Sequence, residues 1–184
     1  NHIECMADRE GAYIYVDVGG GSTEVNFLTD GKLQSSASYN IGTVRSLTGK
    51  VRDDEWLRLE EDMGRIAERA GRINIIGSGG NINKLYRMAE VKDKEQQRLP
   101  INSLEQVYDR LKPLSVEERI EQFGLKDDRA DVIIPAAEIF LRIARIVHAD
   151  YVWVPVIGLA DGIIDDLYEP VSYTHLRAHE TRSN

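Results

Sequence analysis

Tyr13-Ile14-Tyr15-Val16-Asp17-Val18-Gly19-Gly20-Gly21-Ser22-Thr23-Glu24-Val25 decides the fold of this chain. An apolar, β-rich run ends at Asp17-Val18, three glycines follow, and a second strand-like run over residues 25–29 leaves the turn. The pattern predicts a hairpin built around an anion. Three successive glycines are able to take φ > 0 and let the backbone approach a ligand without Cβ clashes. The N–H groups of Gly19, Gly20 and Gly21 then converge into a nest for phosphate oxygens, and Ser22 and Thr23 add hydroxyl donors. Asp17 stands where strand meets loop, a natural place for a carboxylate that holds Mg²⁺ or a water. Magnesium is usually bound by one or two carboxylates, waters and the substrate's own phosphates. An ordinary hairpin turn needs one or two glycines, not three followed by Ser-Thr, so the phosphate reading is preferred.

Outward from this loop, residues 13–18 and 25–29 read as the first two strands, Asp30-Gly31 as a turn, and 33–39 as a third strand. Asn40-Ile41-Gly42-Thr43-Val44-Arg45 turns the chain into a helix, with Thr43 as the expected N-cap. Arg45 reads equally as a phosphate contact and as a solvated first-turn residue. Residues 53–70 form an amphipathic helix capped by Asp53 or Asp54 and closed by Gly71. Its acidic run Glu60-Glu61-Asp62 is expected to be a solvated face. A buried strand over 73–76 leads into Gly77-Ser78-Gly79-Gly80 and a helix over 81–89. Strand, glycine turn and helix is a context in which a helix N-terminus meets an anion or a nucleotide base. The missing third glycine excludes a dinucleotide fingerprint, and tight strand–helix packing also accounts for these glycines.

Residues 92–98 read as a charged connector. A helix capped by Asn102 or Ser103 runs to about Leu111, and Pro113 breaks it. Ser115 and Glu118 form a capping box for a helix to Phe123, closed by Gly124. These helices, over about 92–127, read as an insertion that caps one face. Residues 128–147 read as one long buried helix with Arg129 and Pro135 in its first turns and His148 at its end. A last strand over 151–156 precedes Gly158-Leu159-Ala160-Asp161-Gly162 and a helix over 163–168. The order β-β-β-α-β-α, helical insertion, α-β-α argues for an α/β domain with a ribonuclease-H-like mixed sheet flanked by helices. Beyond Val171 no apolar period is left. His175 and His179 have i, i+4 spacing but no third ligand, and 171–184 reads as a non-native or disordered tail.

Asp17-Val18-Gly19-Gly20-Gly21-Ser22-Thr23-Glu24 resembles the second phosphate-binding motif of the exopolyphosphatase / guanosine-pentaphosphate phosphohydrolase family. That family belongs to the actin-like ATPase superfamily. Ile41-Gly42-Thr43-Val44-Arg45, Ile76-Gly77-Ser78-Gly79-Gly80, Arg129-Ala130-Asp131-Val132-Ile133 and Gly158-Leu159-Ala160-Asp161-Gly162 follow in the order of that family's second lobe. The resemblance implies a ribonuclease-H-like lobe over 13–170, preceded by a truncated segment over 1–12, with the first lobe and its phosphate loop missing. It implies an Mg²⁺-dependent phosphohydrolase that removes terminal phosphate from inorganic polyphosphate or guanosine pentaphosphate at a cleft between two lobes. Asp17 and Glu24 would hold metal and water, and Gly19, Gly20, Gly21, Ser22 and Thr23 would cradle phosphate. Gly77, Ser78, Gly79 and Gly80 would border the cleft. Arg129, where the family also carries an arginine, would bind phosphate or pair with a nearby carboxylate. Two departures stand out. No Glu-Glu-Ala-like segment with the family's catalytic glutamate precedes the glycine motif, so neither Glu4 nor Glu10 is assigned that role. Ala160 stands where many members carry a basic residue. A sugar or acetate kinase lobe of the same superfamily and a non-catalytic polyphosphate- or alarmone-binding lobe are the alternatives.

Composition fits these readings. The 184 residues are 42% hydrophobic and 29% charged, with net charge −8, ordinary for a globular domain but lacking the clustered Lys and Arg of a nucleic-acid face. Cys5 is the one cysteine, which excludes an internal disulfide and favours a cytoplasmic home. No apolar run reaches membrane-spanning length, and no signal peptide is visible. A lobe without its partner is expected to expose an apolar cleft face, which favours aggregation or a homodimer.

Overall fold

A computed structural model describes residues 10–155. The expected turn over 158–162, the helix over 163–168 and the 171–184 tail lie outside the described residues, as does the leading segment 1–9.

Period-two alternation sets the first strand. In Ala12–Val18 (β1), Ile14, Val16 and Val18 are buried in the main core, while Tyr13, Tyr15 and Asp17 stand on the other face. Thr23–Thr29 (β2) and Lys32–Tyr39 (β3) continue antiparallel beside it. Asp30 and Gly31 both have positive φ, 50° and 75°, so this turn matches strand twist as Asp-Gly hairpins do. Ile73–Ser78 (β4) lies parallel to β1, and Tyr151–Trp153 (β6) lies parallel to β4. A short strand, Arg98–Pro100 (β5), pairs antiparallel with β6 and completes the order β3-β2-β1-β4-β6-β5. The sheet is mixed and flanked by helices, the α/β architecture expected. The connector reading of residues 92–98 missed β5, because three residues carry no detectable period.

The helices are Thr43–Leu47 (α1), Asp53–Ala70 (α2), Gly80–Met88 (α3), Ile101–Leu111 (α4), Val116–Phe123 (α5), Asp127–Ala130 (α6) and Ile133–Val147 (α7). α7 is the centre of the helical layer and packs against α1, α2, α3 and α4. Its Ile133, Ala137, Phe140, Ile143 and Val147 are almost fully buried. The opposite face of the sheet carries a smaller apolar cluster of Tyr15, Leu28 and Ile76, with Tyr13, Leu33 and Trp153 against it.

Several boundaries differ from the sequence reading for physical reasons. The long helix over 128–147 is two pieces, α6 and α7. Pro135 has no N–H to give the carbonyl of Asp131, so the ladder is interrupted just there. Asp53 and Asp54 lie inside the first turn of α2, where they favour the helix dipole, and Arg52 is the N-cap. Asn102 and Ser103 lie inside α4, whose N-cap is Pro100. Nor is α4 an outer cap, because Leu104, Val107 and Leu111 belong to the main core. The acidic run of α2 is only partly solvated, since Glu60 holds Arg142 and Asp62 holds Tyr39 and Arg65. The Ser115–Glu118 capping box, the left-handed Gly124 and the C-capping His148 are as expected.

Tyr39 ties the edge strand to the helical layer. The side chain is fully buried at the end of β3, and its hydroxyl donates to Asp62 Oδ2 on α2 at 2.7 Å. The Arg58 guanidinium lies 4.4 Å from its ring centroid. Burial, and then the Asp62 carboxylate that accepts its proton, raise the phenol well above the usual tyrosine value. A group whose folded value lies above its unfolded one contributes stability that is whole below the unfolded value and is lost as pH rises toward the folded one. Stability is therefore expected to fall as pH rises above about 10, the ordinary tyrosine value. Tyr39→Phe should cost about 1 kcal/mol at neutral pH and flatten that alkaline decline. Urea unfolding between pH 7 and 11 checks both.

Candidate active site

The glycine loop spans Gly19, Gly20, Gly21 and Ser22, between the paired residues Val18 and Thr23. Gly19 N–H donates to the Ser22 carbonyl at 2.9 Å and closes it. The three glycine carbonyls are all taken from one side. Thr43 N–H donates to Gly19 O at 3.0 Å, and Val44 and Arg45 N–H donate to Gly20 O at 3.0 and 3.1 Å. Arg45 Nε donates to Gly21 O at 2.8 Å. In a trans peptide the N–H points opposite the preceding carbonyl. The amides of Gly20, Gly21 and Ser22 are therefore turned away from α1, toward the open face of the loop. They have no acceptor among the described residues.

This geometry corrects the expected reason for the glycines. None of the three has positive φ. They are small because neighbours crowd them. A Cβ on Gly19 would stand 3.2 Å from Ser22 O, and one on Gly20 would stand 3.3 Å from Val44 Cγ2. The closest approach lies elsewhere, since a Cβ on Gly42 would stand 2.2 Å from Gly20 O. Gly42, not Thr43, is also the N-cap of α1. Thr23 is fully buried, and its hydroxyl donates to Ile41 O at 2.6 Å. Its proton is thus committed to the supporting turn, contrary to its expected use as a phosphate donor. Arg45, left between two readings by the sequence, anchors the loop.

Asp17 and Glu24 are exposed and directly paired across β1 and β2. In the β1–β4 register Asp17 also pairs with Ser78. Glu24, Asp17 and Ser78 thus form one row on one face of the sheet. Tyr15, two residues before Asp17 on that face, donates its hydroxyl proton to Ser78 Oγ at 2.6 Å. Gly79 has φ +109°, and a Cβ there would stand 3.8 Å from Asp17 Oδ1. Two neighbouring carboxylates next to outward amides fit Mg²⁺, which needs only one or two protein carboxylates. Among the described residues no larger cluster of metal-ligating side chains exists.

The second glycine loop divides into two parts. Gly77 is a packing position and does not face a cleft, because a Cβ there would meet Val152, Ile82 and Phe140 within 3.1 Å. Gly79 and Gly80 face the site. Arg129 lies against Gly80, where a Cβ would stand 2.4 Å from its Nη2, and its Nη1 donates to Asn81 Oδ1 at 2.7 Å. Of the two readings of Arg129, pairing with a carboxylate is not what the described residues show; its partner is an amide. Beyond it opens a pocket of about 250 Å³ lined by Gly80, Asn83, Lys84, Arg87, Lys126 and Arg129, together with Gly124 and Leu125. Four cations and no acid line it. Sequence reasoning missed Lys84, Arg87 and Lys126, since only the packing of α3 beside the 124–129 segment brings them together.

The Ppx/GppA phosphatase family model matches residues 3–170, and the chain belongs to that family. The solved structure of the type II variant of the Aquifex aeolicus Ppx/GppA phosphatase is 28% identical, with TM-score 0.65 over 87% of this chain and 58% of that one. A second structure of the Aquifex aeolicus family member is 27% identical, with TM-score 0.63 over 94% and 62%. An exopolyphosphatase from Cytophaga hutchinsonii, 18% identical, shares the fold with TM-score 0.63 over 86% and 57%. The chain thus spans about three fifths of the length of these solved relatives. A search of curated proteins finds no match.

Gly42→Ala should break the loop, because the added methyl meets a backbone carbonyl that has nowhere to go. Overpacking of this kind costs about 1–3 kcal/mol, and that loss of stability is expected by urea unfolding. Gly64→Ala is the control. Nothing lies within 4 Å of its added methyl inside α2, and it should stabilise by about 0.5–1 kcal/mol.

Proposed function

We propose that this member of the Ppx/GppA phosphatase family hydrolyses a terminal phosphoanhydride, releasing orthophosphate from inorganic polyphosphate. The carrying observation is the set of three amides of Gly20, Gly21 and Ser22, turned outward by α1 and Arg45 beside the Asp17–Glu24 pair. The terminal phosphoryl group rests on these amides. Preorganised N–H groups favour its equatorial oxygens most as charge spreads over them in the transition state. Asp17 and Glu24 would hold Mg²⁺, which would supply neutralisation of the phosphate charge there. A water attacks the terminal phosphorus, the bond to the bridging oxygen breaks, and the chain leaves one phosphate shorter. A glutamate from a segment upstream of the glycine motif takes the proton of that water, with an opposing lobe across the cleft. Such a lobe fits the greater length of the solved relatives.

The cationic pocket beyond Gly80 supports a substrate with several charges rather than a single phosphate. Lys84, Arg87, Lys126 and Arg129 are placed to neutralise phosphates that remain after the terminal one. Guanosine pentaphosphate is the second reading, because it carries two separate phosphate groups and one of them suits the same lining. The single cysteine supports a cytoplasmic setting, and no helix among the described residues is long and apolar enough to cross a membrane.

Phosphate release tests the reading, with polyphosphate, guanosine pentaphosphate and ATP offered in turn to this chain and to a version with a family-type first lobe. Mg²⁺-dependent release is expected only with both lobes, and Asp17→Asn should lower it by about 10²-fold or more. Transfer of phosphate from ATP to an acceptor would replace this reading with a kinase. Tight polyphosphate binding without turnover by the two-lobed protein would replace it with a binding lobe.

A further inference from the structure

The row Glu24–Asp17–Ser78 contains a residue that neither carboxylate chemistry nor the glycine loops explain. Ser78 ends β4 and stands beside Asp17 in the parallel register. Its oxygen accepts the Tyr15 hydroxyl proton at 2.6 Å, a short bond between two part-buried side chains. Tyr15 is itself only 5% exposed and is held in the apolar cluster with Leu28 and Ile76, so its hydroxyl is aimed rather than free to swing. A serine hydroxyl has one proton and two lone pairs. With one lone pair occupied by Tyr15, the rotation of the hydroxyl is restricted and its own proton is directed away from Tyr15. Tyr15 and Asp17 are i, i+2 on one strand, so Ser78 is supported from the Tyr15 level and is a neighbour of the Asp17 level.

We infer that Ser78, oriented by Tyr15, is a positioning residue for the divalent cation held by Asp17 and Glu24, acting through a water on that cation. The spacing of adjacent strands, about 4.8 Å, suits one water between the Ser78 hydroxyl and the Asp17 side of the row. Mg²⁺ dehydrates reluctantly and keeps several waters, and the groups that hold such waters commonly change metal affinity by about 10–100-fold. The same hydroxyl pair places a fixed dipole beside Asp17 without adding a charge, which keeps the site open to an anionic substrate. This inference rests on the reading of Asp17 and Glu24 as cation ligands.

Mn²⁺ binding to the 184-residue chain, followed by electron paramagnetic resonance alongside thermal unfolding, tests it without any need for turnover. Asp17→Asn is expected to abolish binding. Ser78→Ala should weaken Mn²⁺ affinity about tenfold at unchanged melting temperature, Tyr15→Phe should weaken it less, and Ser78→Thr, which keeps the hydroxyl, should restore it. Wild-type affinity in Ser78→Ala, with binding lost in Asp17→Asn, would overturn the role of Ser78 and leave the cation site standing. Equal losses in Ser78→Ala and Ser78→Thr, with melting lowered in both, would show a packing role only and overturn it as well. No binding by the wild type, or binding that survives Asp17→Asn, would overturn the cation reading and this inference together.

Discussion

The capture of the Gly19, Gly20 and Gly21 carbonyls by α1 and Arg45 is the constraint on which the site depends. A loop of small residues has no shape of its own. Here three backbone donors and one guanidinium hold its carbonyls on one side, and peptide planarity then sends its amides to the other. The arrangement resembles the anion nest expected from the glycines, but it does not rely on left-handed residues. It relies on a second chain segment arriving at van der Waals distance, which is why Gly42 admits no side chain. The buried Thr23–Ile41 hydrogen bond fixes that segment from below.

What brings α1 to the loop is the helical layer. α7 lies across the sheet with an apolar surface broad enough to seat α1, α2, α3 and α4 together. Gly77 lets α7 and β6 close on β4, since any side chain there would strike Phe140 and Val152. Packing far from the chemistry therefore fixes the relative positions of the two glycine turns. Both turns leave the carboxyl ends of parallel strands, β1 and β4, which is where open α/β sheets form their ligand crevices.

The site is asymmetric in charge. Two carboxylates lie at the sheet, backbone amides beside them, and four cations line the pocket past Gly80. An acidic chain, net −8, thus keeps a local environment suited to anions. Backbone amides carry the loop beside the carboxylates, and the four cations line the separate pocket past Gly80. Arg129 is kept in place by an amide partner, Asn81, and forms no ion pair among the described residues.

The sequence by itself determined the longer strands, the helices with strong caps, the hairpin and the two glycine turns. These follow from local rules: alternation in β1, the Asp30-Gly31 turn, the Ser115–Glu118 capping box, and the amphipathic period of α2. The pairing of Asp17 with Glu24 came with the structure, because β2 begins at Thr23 and not at Val25 as the sequence reading has it. Only the tertiary structure decided which chemical groups those elements present. Residues 92–98 gave no hint of β5, because a three-residue strand exists through its partner alone. The split at Pro135 and the turn of α4 into the core depend on what packs against them. So do the commitment of Thr23 to Ile41, the anchoring by Arg45, the division of labour between Gly77 and Gly80, and the gathering of Lys84, Arg87 and Lys126. A hydrogen bond or a clash between residues far apart in the chain leaves no period in the sequence, and it comes into being only when the chain has closed on itself.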